Sequence, residues 1–248
     1  MKSGYRDLSF WLDSVVDSGA DDLAPRPALP GEIAVDVAIV GGGLTGLWTA
    51  YYLLKRDPAL RVAVIEKHIA GFGASGRNGG WCSALFPAST TALERRHGLP
   101  AALAMRQAMI DTVDEVGRVT DAEGIDCDYA KGGTLVYARS RPQLARARAD
   151  AAEAAHYGVD RLELIENPAT GPTGTLAATF DPACARLHPA KLVRGLASTV
   201  ERLGGTIDEQ TEVLDWGTGS VLTTHGTVTA DTVVLATEGY GSALPRTH

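Results

Sequence analysis

Cysteine is scarce: Cys82, Cys127 and Cys184 lie far apart, with no Cys-x-x-Cys pair. An odd number at such spacing argues against a disulfide framework and fits reduced thiols buried as small apolar groups. Positive charge is also short, with 23 Lys and Arg against 30 Asp and Glu for a net −7, so a nucleic-acid partner is disfavoured. No apolar run approaches the roughly 18 residues of a membrane-spanning helix. The first residues, Met1 to Asp7, carry no continuous apolar stretch of the kind found in a secretion signal, so a cytoplasmic location is expected. The six histidines show no i, i+3 or i, i+4 pairing, and no metal site is expected. Gly73-x-Ser75 runs into Gly76 and Arg77 and so breaks the G-x-S-x-G elbow of a nucleophilic serine.

What is present suits a globular α/β enzyme: 248 residues, 45% of them hydrophobic, and 28 glycines against 6% aromatics. That length allows one or two domains. Residues 1–34 contain Trp11 and Leu12, then Pro25, Pro27 and Pro30, and are expected to form a short helix and an extended arm. Val35 to Val40 reads as a buried strand, Gly41 to Gly46 as a glycine turn, Leu47 to Arg56 as a helix and Arg61 to Glu66 as a second strand, together a βαβ unit. A second glycine-rich loop runs from Gly71 to Gly80. Thr91-x-x-Glu94 then reads as a capping box opening helical sequence, Pro100 can restart it, and helix continues towards Gly124. Gly132 to Ala138 reads as a strand, Ser140 as the cap of a helix with Pro142 in its first turn, and Leu176 to Phe180 as another strand. Pro189 opens a helix that buries Leu192, Leu196, Val200 and Leu203 and stops at Gly204-Gly205. The remainder is β-rich, with separate strands expected at Thr206-Ile207, Glu212 to Leu214, Ser220 to Thr223, Thr227 to Thr229 and Thr232 to Ala236.

The chemistry concentrates in the βαβ unit. Gly41-x-Gly43-x-x-Gly46 follows a strand and opens a helix, and Ala50 sits where a small side chain lets helix and strand pack closely. Gly41 permits the tight turn and Gly43 lets backbone approach a pyrophosphate. The helix N-terminus offers that anion unpaired N–H groups and about half a positive charge. Glu66 lies twenty residues past Gly46, the spacing of a carboxylate that accepts hydrogen bonds from the adenosine ribose. In the loop that follows, Gly73, Ala74, Gly76, Gly79 and Gly80 allow close approach to a flat ligand, while Ser75, Arg77 and Asn78 supply donors. Arg139, Arg141, Arg146 and Arg148 read as a solvated helix face, and His188 as a packing or surface residue. Trp81 is open between the active site and the core or an interface.

These motifs resemble the FAD-dependent oxidoreductases of the D-amino acid oxidase type, which include glycine and sarcosine oxidases. Phe10 to Ser14, Gly41-Gly42-Gly43-Leu44-Thr45-Gly46 and Gly71 to Gly80 together look most like the gamma-glutamylputrescine oxidase branch. Pro189 to Ala197 resembles the helix leading back into that family's FAD domain. Ala230 to Gly239 is similar to its strand ending in Ala-Thr-x-Gly beneath the cofactor. The resemblance implies a Rossmann-like FAD-binding domain (35–86 and 186–248) behind the arm, with an inserted mixed-sheet α+β substrate domain (87–185). It implies non-covalent FAD held by Gly41, Gly42, Gly43, Leu44, Thr45, Gly46, Glu66, Lys67, Ser75, Arg77, Asn78, Gly79, Gly80, Val213, Ala236, Thr237 and Gly239. Some relatives tether the flavin through a histidine where this chain has Asn78, so no covalent link is expected there.

The implied reaction oxidises the C–N bond of a small amine or amino acid to an imine by hydride transfer to flavin N5, with molecular oxygen or another acceptor taking the electrons. Family members usually run well beyond the Ala-Thr-x-Gly strand, so the resemblance implies a chain incomplete at its C-terminus. The groups that relatives use for the substrate carboxylate and for oxygen lie mostly in that later part, and no catalytic residue is assigned. Two alternatives stay open: an NAD-dependent Rossmann dehydrogenase, and a truncated FAD-binding subunit or inactive fragment that needs a partner chain.

Overall fold

The computed structural model describes residues 4–244; residues 1–3 and 245–248, the last stretch of the expected FAD domain, lie outside it. In chain order the elements are α1 (Phe10–Asp17), β1 (Ile33–Val40), α2 (Leu44–Arg56), β2 (Val62–Ile65), β3 (Trp81–Ser83), α3 (Thr90–His97), α4 (Leu99–Ala122), β4 (Ala130–Lys131), β5 (Thr134–Ala138) and α5 (Arg141–Tyr157). There follow β6 (Glu163–Glu166), β7 (Ala177–Asp181), β8 (Cys184–Arg186), α6 (Pro189–Arg202), β9 (Thr206–Asp208), β10 (Val213–Gly217), β11 (Ser220–Thr223) and β12 (Gly226–Leu235). The chain divides into two compact units, residues 1–79, 123–127 and 188–248, and residues 80–122 and 128–187.

The first unit is built on a six-stranded sheet in the order β10-β11-β12-β1-β2-β9. β12, β1, β2 and β9 run parallel, and β10 and β11 complete the sheet as an antiparallel meander. Val62 to Ile65 are all buried, as expected of a strand covered on both faces. Helix α6 places Leu192, Val193, Leu196, Ala197 and Val200 on one buried face. The strands expected at Thr227 to Thr229 and Thr232 to Ala236 are one strand, not two, ending at Leu235, because β1 pairs with β12 in a single register from Ile33↔Val228 to Val40↔Leu235. Helix α2 starts at Leu44, three residues before the expected position, because Gly43 is already its extended N-cap.

Residues 123–127 join this unit through Glu123, whose carboxylate accepts from Tyr51 Oη at 2.9 Å and from Arg202 Nη2 at 3.0 Å. Helix α1 closes a small core of Leu12, Val15, Leu23, Ile69 and Ala190, which ties the N-terminal stretch to the same unit.

The second unit has two three-stranded sheets, β3-β8-β4 and β5-β7-β6. Their pairings are antiparallel, so the mixed pairing expected of the inserted part is found instead in the sheet of the first unit. The short strands β3, β6 and β8 escape a periodicity reading, since three or four residues hold too little alternation to be seen. Ser89, not Thr91, caps α3, its side chain accepting the Ala92 N–H at 3.2 Å; Thr91 instead bonds Glu153. Ser140 caps α5 as expected, with Pro142 in the first turn. Residues 80–86 fall in this unit, because β3 pairs with β8.

Candidate cofactor site

The site is organised where β1 ends. Gly41 has φ +112 and donates its N–H to Ile65 O at 2.8 Å, while Ala236 N–H donates to Val40 O at 2.8 Å. The turn is therefore stitched to β2 on one side and to the end of β12 on the other. A Cβ on Gly41 would lie 2.5 Å from Ala236 O, and one on Gly46 would lie 2.1 Å from Gly41 O and 3.2 Å from Ile39 Cγ2. Gly41 thus answers to a left-handed backbone and a close neighbour at once, and Gly46 to helix-on-turn packing. The first-turn N–H groups of α2 have no partner inside the helix. Ser75 Oγ accepts one of them, from Leu44, at 2.8 Å.

Glu66 follows β2 directly, and both its carboxylate oxygens are engaged. Oε2 accepts the Gly42 N–H at 2.8 Å and Oε1 the His68 N–H at 2.8 Å. Burial pushes this carboxyl above its ordinary value, and the His68 and Gly42 N–H bonds offset only part of that effect. Beside it, the exposed Lys67 Nζ pairs with Glu212 Oε1 at 2.7 Å. Burial lowers the pKa of His68, with Lys67 adding to the effect, and favours the neutral ring.

A cavity of about 330 Å³ opens over this framework. Of the residues expected to hold a cofactor, it gathers Gly41, Gly43, Thr45, Glu66, Lys67, Ser75, Val213, Ala236 and Thr237. Gly42, Leu44 and Gly46 are not among its lining residues; Gly42 and Leu44 donate their N–H groups to Glu66 and Ser75, and Gly46 packs on the turn. Asn78 staples the loop onto itself, its Nδ2 donating to Ser75 O at 3.0 Å and Ala74 O at 3.3 Å. Arg77 lies over the Phe72 ring at 5.1 Å and with Gly239 borders a neighbouring depression that also takes in Leu8 and Ser9. No described residue comes within 4 Å of a Cβ placed on Gly79, and Gly80 belongs to the second unit, where its carbonyl accepts the Leu187 N–H.

His68, Phe72, Thr211, Glu212, Glu238, Tyr240 and Leu244, none of them among the expected cofactor residues, also line the cavity. Position next to a recognised motif was the available signal: His68 follows Glu66-Lys67, Glu212 precedes Val213, and Tyr240 follows Gly239. His188 is buried, with Nδ1 accepting the Lys191 N–H at 3.2 Å as the cap of α6 and Nε2 2.8 Å from Ser14 Oγ, a packing role. Trp81 is 54% exposed on β3 with Nε1 directed at Cys184 Sγ, so it is not a core residue.

Four parallel strands with a glycine turn at a helix N-terminus and a carboxylate closing the second strand define a dinucleotide-binding fold. The comparisons carry this to a family. Residues 36–248 match the FAD dependent oxidoreductase family, DAO, and the chain belongs to it. It is 31% identical over 230 residues to gamma-glutamylputrescine oxidoreductase of Escherichia coli (strain K12), covering 90% of this chain and 53% of that protein. It is 30% identical over 226 residues to glycine oxidase of Geobacillus kaustophilus (strain HTA426), covering 84% and 56%. The crystal structure of glycine oxidase from that species superposes with a TM-score of 0.66 at 26% identity, covering 82% of this chain and 55% of that one. L-Amino acid deaminase from Proteus myxofaciens gives a TM-score of 0.72 at 20% identity, covering 89% and 49%, a likeness of fold. The chain spans about half the length of the relatives it matches. Nothing in these matches supports the nicotinamide alternative. Among the described residues, no helix is long and apolar enough to cross a membrane.

Proposed function

We propose that this chain carries the FAD site of an oxidoreductase acting on the C–N bond of an amine or amino acid. One observation carries the reading: the cavity brings together the Gly41–Gly43 turn, the N-terminus of α2, Glu66 and the Ala236-Thr237 end of β12. The donor set fits the cofactor. Gly41 and Gly43 leave room for a pyrophosphate against backbone, the α2 N-terminus supplies N–H groups and positive potential, and Glu66 accepts from ribose hydroxyls. Loop residues 71–75 and Ala236-Thr237 form the walls that take the remaining, flat part of the ligand. Gly42, Leu44 and Gly46 support the turn from behind, and Asn78 fixes the loop.

Bound FAD would supply the redox chemistry, the two-electron oxidation of the C–N bond to an imine that water then hydrolyses to carbonyl and amine. Molecular oxygen is the acceptor in this reading. Because the chain spans about half of its relatives, a second form of the reading has it bind FAD but turn over only with a partner chain. The test is a visible absorption spectrum of the purified protein before and after denaturation, with the released chromophore identified. Stoichiometric, releasable FAD supports the site, and an amine and amino-acid oxidation screen then separates the two forms. A folded protein that contains no flavin and takes none up overturns both.

A further inference from the structure

Three consecutive residues couple the N-terminal arm to the cavity. The Glu209 side chain is fully buried, and its carboxylate accepts the Arg26 N–H at 2.7 Å, Arg26 Nη1 at 3.2 Å, Arg194 Nη1 at 3.0 Å and the Ala70 N–H at 2.8 Å. Gln210 donates from Nε2 to Tyr5 Oη at 2.8 Å and to His68 O at 2.7 Å, and its backbone N–H also reaches His68 O at 3.0 Å. Thr211 Oγ1 accepts the Leu29 N–H at 3.1 Å, while the Thr211 N–H donates to Glu66 O at 2.9 Å. Each of the three therefore holds the N-terminal stretch on one side, at Arg26, Tyr5 and Leu29. On the other side each holds the chain that runs from Glu66 into the Gly71–Gly80 loop.

We propose that Glu209 is a positioning residue for the cofactor site. With Gln210 and Thr211 it straps the arm onto the Glu66–Ala70 segment, so that the arm governs how firmly the dinucleotide is held although no described arm residue lines the cavity. A buried carboxylate is tolerated only while its donors stay in place, and here two of the four come from Arg26, one from Arg194 and one from Ala70, just before the cofactor loop. Displacing the arm takes both Arg26 donors from Glu209 and leaves Arg194 alone to compensate the charge, so Oε1, which fixes Ala70, is held by one cation instead of two. Directly after Ala70, Gly71 has φ +85, and a Cβ there would lie 2.3 Å from Val193 Cγ1 of α6, so the loop leaves this point in a single tight arrangement. The proposal rests on the cofactor reading above for its functional meaning, and its mechanical part stands without it.

The test compares Arg26→Ala with Arg106→Ala in the full chain. Arg106 makes a mostly buried pair with Asp160 at 2.6 Å inside the second unit and serves as a control for the loss of an arginine pair. Two readouts are taken: amide hydrogen exchange of residues 66–76 in the flavin-free protein, and the Kd for FAD. The strap requires exchange at 66–76 to rise about tenfold or more in Arg26→Ala and FAD affinity to fall by a similar factor, with neither change in Arg106→Ala. Should Arg26→Ala not fold, Gln210→Ala removes the bonds to Tyr5 and from Nε2 to His68 at an exposed position without stranding a charge, and the same exchange result is required. Exchange rates equal to wild type, or raised equally by the control, overturn the proposal. If wild type takes up no FAD the cofactor reading falls, while the exchange comparison still decides the strap.

Discussion

Ser75 Oγ lies 2.8 Å from the backbone N of Leu44, so a side chain from the second glycine-rich loop caps the helix that opens the first. The same oxygen would lie 2.9 Å from a Cβ placed on Gly43. Gly43→Ala is thus expected to turn the hydroxyl aside and lose the cap, at about 1 kcal/mol, much as Ser75→Ala does. In a Ser75→Ala background the hydroxyl is gone, and the double variant is expected to be little less stable than either single one. A double-mutant cycle in urea checks this; strict additivity would show that the two residues do not meet in solution.

The glycines of the two loops are not equivalent. Gly41→Ala sets a methyl 2.5 Å from Ala236 O at φ +112, a clash with backbone that no rotamer relieves, and a loss of 3 kcal/mol or more, roughly, is expected. Among the described residues Gly79 has no neighbour within 4 Å of its Cβ position, and its φ is not positive, so Gly79→Ala is expected to change stability by less than about 0.5 kcal/mol. Thermal unfolding of the two variants in the flavin-free state separates them without reference to any ligand.

How much of this was legible in the sequence depends on the range over which the determining contact acts. Gly41, Gly43, Gly46 and Glu66 are set by local backbone demands inside one βαβ unit, and their spacing revealed the fold and three of the residues, Gly41, Gly43 and Glu66, that line the cavity. Leu44 is where α2 begins because Gly43 is extended, a backbone fact one residue long that periodicity blurs. Lining residues such as Thr211 and Tyr240 reach the cavity through tertiary folding, so only their position beside Val213 and Gly239 hinted at it. Glu209 carried no signal at all, since its partners Arg26, Ala70 and Arg194 are scattered over the chain. The second unit was harder because strands of two to five residues carry their pairing partners, not their own pattern, as the determinant.

Asp208 gives the fold a pH dependence. It is 7% exposed at the end of β9, its Oδ2 has no hydrogen-bond partner among the described residues, and burial raises its pKa from 3.8 to about 6. Between those values the folded protein holds a proton that the unfolded chain has released, so stability falls as pH rises from about 4 to about 6 and stays lower above. The effect is on the order of 2 kcal/mol. Asp208→Asn is expected to flatten the slope in that window, measured as the urea midpoint against pH, while the unpaired amide limits any gain at neutral pH. An unchanged slope would place the titration elsewhere.

Glu66 offers the most direct test of which end of the cavity takes the nucleoside. Its two oxygens already accept the Gly42 and His68 N–H groups, and each carboxylate oxygen has a second lone pair for a ribose hydroxyl. Glu66→Gln replaces one of those acceptors by a donor facing an N–H, so FAD affinity is expected to fall tenfold or more, whereas riboflavin, which has no adenosine, is held equally by both proteins. Burial raises the Glu66 pKa above its ordinary 4.5, so wild-type FAD affinity should decline on acidification before an exposed carboxylate would titrate. The Glu66→Gln protein should lack that component. Isothermal titration with FAD and with riboflavin at neutral pH and on stepwise acidification distinguishes the cases. Equal losses for the two ligands would mean that Glu66 supports the turn through Gly42 alone and touches no ribose.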